Sequence, residues 1–283
     1  MANQTFDYVV LGSGPGGYSA AFRLADLGKQ VALIERHDTL GGVCLNVGCI
    51  PSKALLHVAE VIHDAAHLSQ HGVDFGQPKI DLKKLVAHKN GIIGQLTGGL
   101  AALAKQRKVT IIKGDAQFSS AHSFTVTQDG KTQEITFKHA IIAAGSRVVH
   151  LPFMPKDARI LDSTSALELP SNKGKLLILG GGIIGCEMAT VYNALGMNVT
   201  IVEMMDQLMP GADPDIVKPC HTIMTSRGIQ CMLKTKVTSV KADKKHLTVS
   251  FEGDNAPKTA QHFDFILESV GRRPNGDQIA CEK

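Results

Sequence analysis

Residues 8–17 read Tyr-Val-Val-Leu-Gly-Ser-Gly-Pro-Gly-Gly, and residues 176–185 read Leu-Leu-Ile-Leu-Gly-Gly-Gly-Ile-Ile-Gly. Each is a short apolar strand running into Gly-x-Gly-x-x-Gly and then a helical pattern, the fingerprint of a dinucleotide-binding βαβ unit. Glycine is needed at these places for separate reasons. Gly12 permits the tight turn, Gly14 lets the backbone approach a pyrophosphate, and Gly17 allows close helix–strand packing. Gly180, Gly182 and Gly185 repeat those roles. A second strand follows in each copy, ending at Glu35 after Val31–Ile34 and at Glu203 after Val199–Val202, where a carboxylate accepts hydrogen bonds from a ribose. Gly12, Gly14, Gly17, Gly28 and Glu35 recur 168 positions on, as Gly180, Gly182, Gly185, Gly196 and Glu203. One fingerprint is weak evidence, because glycine turns are common. Two in one register are strong.

The 283 residues suit two domains of ordinary size. Hydrophobic residues are 43% and charged residues 20%, which excludes wholesale disorder. The net charge of +4 is scattered without a basic block, so nucleic acid and membrane surfaces are not expected partners. The N-terminus lacks the basic region of a signal peptide, and no run is expected to approach the ~20 apolar residues of a membrane span. Six cysteines without a secretory signal then point to a reducing, cytoplasmic setting, where a close pair is catalytic or metal-binding rather than structural.

Strand patterns follow each fingerprint. They lie at Val109–Lys113, Ser123–Thr127 and Thr132–Phe137 around an Asp129-Gly130 turn, and at Ile229–Leu233, Val237–Val240 and Leu247–Phe251. Each series reads as a small meander laid on a parallel sheet, and closes on an apolar strand reaching glycine, at Gly145 and Gly271. The expected fold is α/β, with two Rossmann-like domains, each a parallel sheet with helices plus a small β-meander. The first is expected over 1–149 and the second over 150–275, joined near His150–Asp162, with 276–283 beginning a return to the first. Glu35 to Gly145 is 110 positions and Glu203 to Gly271 is 68, so the first copy carries 42 more.

Those additional residues begin GGVCLNVGCIPSKALL. Cys44 and Cys49 precede a helical pattern opened by Pro51 and Ser52, which puts Cys49 at a helix start, where N–H groups favour a thiolate. Four intervening residues allow the sulfurs to approach if the first turn is helical. A zinc half-site or two inert buried thiols are the other readings, and zinc lacks a second cysteine pair nearby.

The string GGVCLNVGCIPSK behind a glycine fingerprint resembles the pyridine nucleotide–disulfide oxidoreductases, and within them the dihydrolipoamide dehydrogenases. The resemblance runs to VGRRPN at 270–275. It implies FAD on the first repeat, NAD on the second, and a redox disulfide between Cys44 and Cys49. Cys49 would face the flavin and Cys44 would meet the dithiol substrate. Lys53 would stabilise negative charge on reduced flavin, paired with Glu187. Further FAD contacts would fall at Arg36, Gly42, Val43, Cys44, Ala116 and Gly145, and nicotinamide-nucleotide contacts at Val237 and Gly271. The implied reaction oxidises protein-bound dihydrolipoamide with NAD+ as acceptor, on lipoyl domains of 2-oxo-acid dehydrogenase complexes, by a homodimer.

Three positions depart from the family pattern. Cys186 stands where an aliphatic residue is usual, and Glu268 and Ser269 replace small apolar residues. The family also has a further Gly-Asp FAD segment and an interface domain supplying a His and a Glu. Neither matches anything up to Lys283, so these residues are expected to represent the FAD and NAD domains and to be inactive alone. The alternatives are a nucleotide-binding scaffold without turnover, or a glutathione- or mercuric-type disulfide reductase, against which the LNVGCIPSKALL context argues. His63, His67 and His71 share one helix face and read as a polar face rather than a metal stripe, so no metal is expected. Met204, Met205 and Met209 follow Glu203, where they could shape an adenosine pocket, and read by default as flexible core filling.

Overall fold

The structure, a computed structural model, describes residues 4–283. Met1–Asn3, part of the stretch read as lacking a signal peptide, lie outside the described residues. The first elements are β1 (Gln4–Leu11), α1 (Pro15–Asp26), β2 (Val31–Glu35), α2 (Gly42–Val47), α3 (Cys49–Leu68) and α4 (Leu82–Gln106). There follow β3 (Thr110–Lys113), β4 (Asp115–Ser120), β5 (Ser123–Gln128), β6 (Lys131–Ile142), β7 (Ser146–Val148) and β8 (Ile160–Leu161). The rest are β9 (Lys175–Leu179), α5 (Ile183–Ala194), β10 (Asn198–Val202), α6 (Pro214–Ser226), β11 (Gln230–Met232), β12 (Thr235–Ala242), β13 (Leu247–Gly253), β14 (Gln261–Phe263), β15 (Phe265–Glu268) and β16 (Arg272–Pro274).

The chain forms two compact units. The first comprises Met1–Pro51, Asn90–Arg147 and Arg273–Lys283, the second Ser52–Lys89 and Val148–Arg272. This differs from the expected division at 149/150, because Ser52–Lys89 sorts with the second unit. The reason is packing: Leu55, Leu56, Ile62, Leu82, Leu85 and Val86 join a core built on Met188, Tyr192, Ile178 and Ile201.

In the first unit the sheet order is β3-β2-β1-β6-β5-β4. The strands β3, β2, β1 and β6 run parallel, and β6 also pairs antiparallel with β5 through its first half. The meander is therefore a continuation of the sheet, not a layer on it. All five residues of β2 are buried, as a parallel strand covered on both faces requires. Asp129 and Gly130 both take positive φ, the conformation a two-residue hairpin turn needs.

In the second unit the order is β11-β10-β9-β15-β8, all parallel, and β12-β13-β14 form a separate antiparallel sheet. The Tyr192 hydroxyl is buried and donates to Ala166 O at 2.6 Å. Lys89 is 2% exposed and its ammonium donates to Leu167 O and to Glu168 Oε1, both at 2.8 Å. Lys89→Met would keep the stem but leave Leu167 O without that donor, an expected loss of about 1–2 kcal/mol. Thermal unfolding checks this; a raised midpoint would show that apolar filling is the better solution here.

Residues 42–71 are, by length and composition, long and apolar enough to cross a membrane, contrary to the expectation that no run comes near this. Part of their apolar surface packs inward, since Leu55 and Ala59 are 2% and 1% exposed and Leu55, Leu56 and Ile62 join the core, while Val61 and Leu68 are exposed and His57, Glu60 and Asp64 interrupt the run.

Candidate functional site

The two fingerprints fold alike, atom for atom in several contacts. Gly12 and Gly180 both have φ +97°. A Cβ on Gly12 would lie 2.2 Å from Ala143 O, and on Gly180 2.6 Å from Ser269 O. A Cβ on Gly17 would lie 1.8 Å from Gly12 O, and on Gly185 2.1 Å from Gly180 O. Only glycine lets each helix cross its strand so closely. Gly14 and Gly182 precede α1 and α5 with extended backbone and no side-chain cap, so the first-turn N–H groups remain for a bound anion.

The acids close each turn. Glu35 is 7% exposed, and its Oε2 accepts from Ser13 N at 3.1 Å and Ser13 Oγ at 2.5 Å, its Oε1 from His37 N at 2.9 Å. Glu203 is 9% exposed, its Oε2 accepting from Gly181 N at 2.7 Å and its Oε1 from Met205 N at 2.9 Å. Each carboxylate is thus fixed by the turn it serves and keeps lone pairs for ribose hydroxyls. Ser13, which sequence reasoning passed over, is fully buried and also accepts from Gly41 N at 3.2 Å. Its only sequence signal was a hydroxyl inside the glycine turn.

In the first unit, Gly42 comes against the fingerprint: a Cβ there would sit 2.7 Å from Gly14 Cα. Arg36 pairs with Asp115 at 3.7 Å, joining the end of β2 to the start of β4, where Ala116 is buried. Gly145 follows β6 with φ +69°, and Val43 is partly exposed on α2. A cavity of about 440 Å³ adjoins Glu35, lined by Leu40, Gly94, Gly98, Ile111 and Lys113 among others. Its position beside the ribose acid fits the adenosine end of a dinucleotide.

Cys44 is half-buried within α2, and Cys49 is exposed as the first residue of α3, with Gly48 between the helices. In the second unit, Lys53 Nζ meets Glu187 Oε1 at 2.5 Å, the pairing expected of them. Val237 lies on β12, in the separate antiparallel sheet, beside an irregularity in register, while Gly271 has φ +128° after β15. Met204 and Met205 are 68% and 53% exposed rather than core filling, in the turn after β10 where Met205 N donates to Glu203 Oε1; Met209 packs against the core. His67 and His71 rings stack edge-on at 5.1 Å, and burial lowers the pKa of His63. Among the described residues, no group of three or more His, Cys, Asp or Glu could hold a metal.

Burial pushes the Cys186 thiol up to about 12 and the Cys231 thiol to about 11, reinforced at Cys186 by Cys220, Cys231, Glu203 and Glu187 and at Cys231 by Cys220. At pH 8 only about one Cys186 in 10⁴ would be a thiolate, so alkylation should bypass it until the chain unfolds. An unfolded cysteine ionises near 9.0, so ionisation of Cys186 favours unfolding as pH rises from 9 towards 12. Mass mapping of alkylated folded protein checks this. Rapid labelling of Cys186 at pH 8 would contradict it.

Two nucleotide turns with ribose acids, and two cysteines on consecutive helices behind the first, define a dinucleotide-binding oxidoreductase fold. The family description pyridine nucleotide-disulphide oxidoreductase matches residues 6–283, and the chain belongs to that family. It is 55% identical over 277 residues to a dihydrolipoyl dehydrogenase of Vibrio cholerae, covering 97% of this chain and 58% of the relative. A dihydrolipoyl dehydrogenase of Haemophilus influenzae is 52% identical over the same shares. Among solved structures, the Cu(II) complex of the HOCl-induced flavoprotein disulfide reductase RclA of Escherichia coli superposes with a TM-score of 0.83 at 29% identity, covering all of this chain and 59% of that one. The chain thus spans a little under three-fifths of the length of these relatives.

Proposed function

We propose that the chain carries the FAD- and NAD-binding functions of a dihydrolipoyl dehydrogenase. The observation that supports this most is the doubled turn, in which Glu35 and Glu203 are each held by the backbone of their own fingerprint. The first repeat takes FAD and the second takes NAD. In the full reaction, a dithiol on a lipoyl domain gives two electrons to a Cys44–Cys49 disulfide, leaving two protein thiols and an oxidised lipoyl disulfide. FAD, when bound, supplies the two-electron carrier between those thiols and NAD+, which leaves as NADH with one proton released.

The chain's own residues have defined tasks in this reading. The fingerprint N–H groups bind the pyrophosphates and the two glutamates orient the adenosine riboses. Cys49, at the start of α3, is the sulfur nearer the flavin, and Cys44 is the one that exchanges with substrate. Lys53, its ammonium fixed by Glu187, is the cation for the reduced flavin. Arg36, Gly42, Val43, Ala116 and Gly145 complete the FAD side, and Val237 and Gly271 the NAD side. The protein works in the cytoplasm as a homodimer, on lipoyl domains of a 2-oxo-acid dehydrogenase complex. The names carried by the relatives at 52–55% identity favour this over a different disulfide reductase.

Selectivity between nicotinamide nucleotides tests the second site. Glu203 accepts from a ribose and repels a 2′-phosphate, and Met204-Met205-Asp206-Gln207 offers no arginine to receive one. NADH should bind about tenfold or more tighter than NADPH in a fluorescence titration. Tighter NADPH would overturn the assignment.

A further inference from the structure

The two repeats solve one problem with a serine on opposite sides of the same peptide. In the first, Ser13 sits in the turn and its hydroxyl and N–H both meet Glu35 Oε2. The corresponding closing strand contributes Ala143, whose N–H donates to Leu11 O at 2.8 Å and which has no hydroxyl to add. In the second repeat the turn residue is Gly181, which has no hydroxyl, and the closing strand contributes Ser269. Its N–H donates to Leu179 O at 2.9 Å, the equivalent backbone bond. Its hydroxyl adds a contact without counterpart in the first repeat, its one O–H shared between Leu179 O at 2.8 Å and Gly180 O at 3.1 Å.

Gly180 O and Gly181 N belong to a single planar peptide unit. That unit is therefore held at both ends: its oxygen by the Ser269 hydroxyl, its N–H by Glu203 Oε2 at 2.7 Å. Rotating the plane would break both bonds together. A side chain at 181 would meet Leu208 Cδ2 at 2.6 Å and Glu203 Cβ at 3.2 Å, so a serine in this turn would require the Leu208 side chain and the Glu203 stem to shift. The hydroxyl comes from across the sheet instead.

We infer that Ser269 is a positioning residue for adenosine-ribose recognition in the second dinucleotide site, acting through the Gly180–Gly181 peptide on Glu203. This rests on the assignment of NAD to that site. Loss of one hydroxyl bond to a held carbonyl changes an equilibrium by several-fold, and here the equilibrium is the orientation of Glu203.

The test uses the unsubstituted chain, Ser269→Ala and Ser269→Cys, the last retaining volume but donating poorly. NADH, NADPH and ADP-ribose are titrated against each, with Glu203→Gln and the double variant Ser269→Ala/Glu203→Gln alongside. Both serine variants should weaken NADH and ADP-ribose about fivefold and narrow the NADH-to-NADPH preference, with FAD affinity unchanged because the first turn has Ser13. In the Glu203→Gln background, Ser269→Ala should add little, since the two act in series. Should Ser269→Ala fail to fold, Ser269→Cys carries the comparison. Unchanged nucleotide affinity and selectivity in the serine variants, or an equal further loss in the Glu203→Gln background, overturns the role of Ser269. Failure of the unsubstituted chain to bind NADH overturns instead the assignment on which it rests.

Discussion

Gly17→Ala is expected to destabilise the first unit by about 3 kcal/mol or more, while Gly16→Ala, one residue earlier on the same helix, stabilises it by up to about 1 kcal/mol. The added methyl of Gly17→Ala would arrive 1.8 Å from Gly12 O and 3.3 Å from Ala143 Cβ. Both neighbours belong to the backbone turn or the sheet, so α1 must lift from β1 or the turn must open. Opening the turn also moves Ser13 away from Glu35, and FAD binding should fail with it. Gly16 is exposed, and a Cβ there meets nothing within 4 Å. Alanine then contributes only its better helix propensity. The thermal midpoint should fall by about 6–12 °C for Gly17→Ala and hold or rise for Gly16→Ala. Equal midpoints for the two would show that close helix–strand contact is not what fixes glycine at 17.

Cys44→Ser and Cys49→Ser should each abolish the chain's capacity to take up two electrons beyond those taken by bound flavin, with the double variant no worse than either single one. The reason is that a disulfide is one functional group made from two residues. If they form it, thiol counting before and after mild reduction should differ by two in the unsubstituted chain and by zero in each variant. Loss of only one partner's effect would reassign the pair as a cysteine and a bystander. Nucleotide binding should survive both substitutions, because neither sulfur is needed to form the fingerprint turns.

The turns were legible because their glycines answer a steric demand that no other residue meets: the register of Gly12, Gly17, Gly180 and Gly185 is written in close backbone approaches. The ribose acids followed from strand ends, and the Lys53–Glu187 pair from family resemblance. Other features were hidden for physical reasons. The strand β4, Asp-Ala-Gln-Phe-Ser-Ser, has weak strand propensity and exists through pairing with β5. Nothing in the apolar faces of α3 and α4 says which core they join, so the expected boundary at 149 took no account of Ser52–Lys89. Ser13 and Ser269 look like ordinary small residues until their hydroxyl partners are known. Met204 and Met205 look like core until the turn after β10 is seen to leave both side chains exposed.

One anaerobic titration tests both nucleotide sites at once. The chain is incubated with FAD, passed through a desalting column, and NADH is added while the visible flavin absorption is followed. One flavin per chain should travel with the protein and bleach on addition of NADH, far less with equal NADPH. Flavin that separates from the chain entirely, or bleaches equally with NADPH, would contradict the pairing of an FAD site on the first repeat with an NAD site on the second.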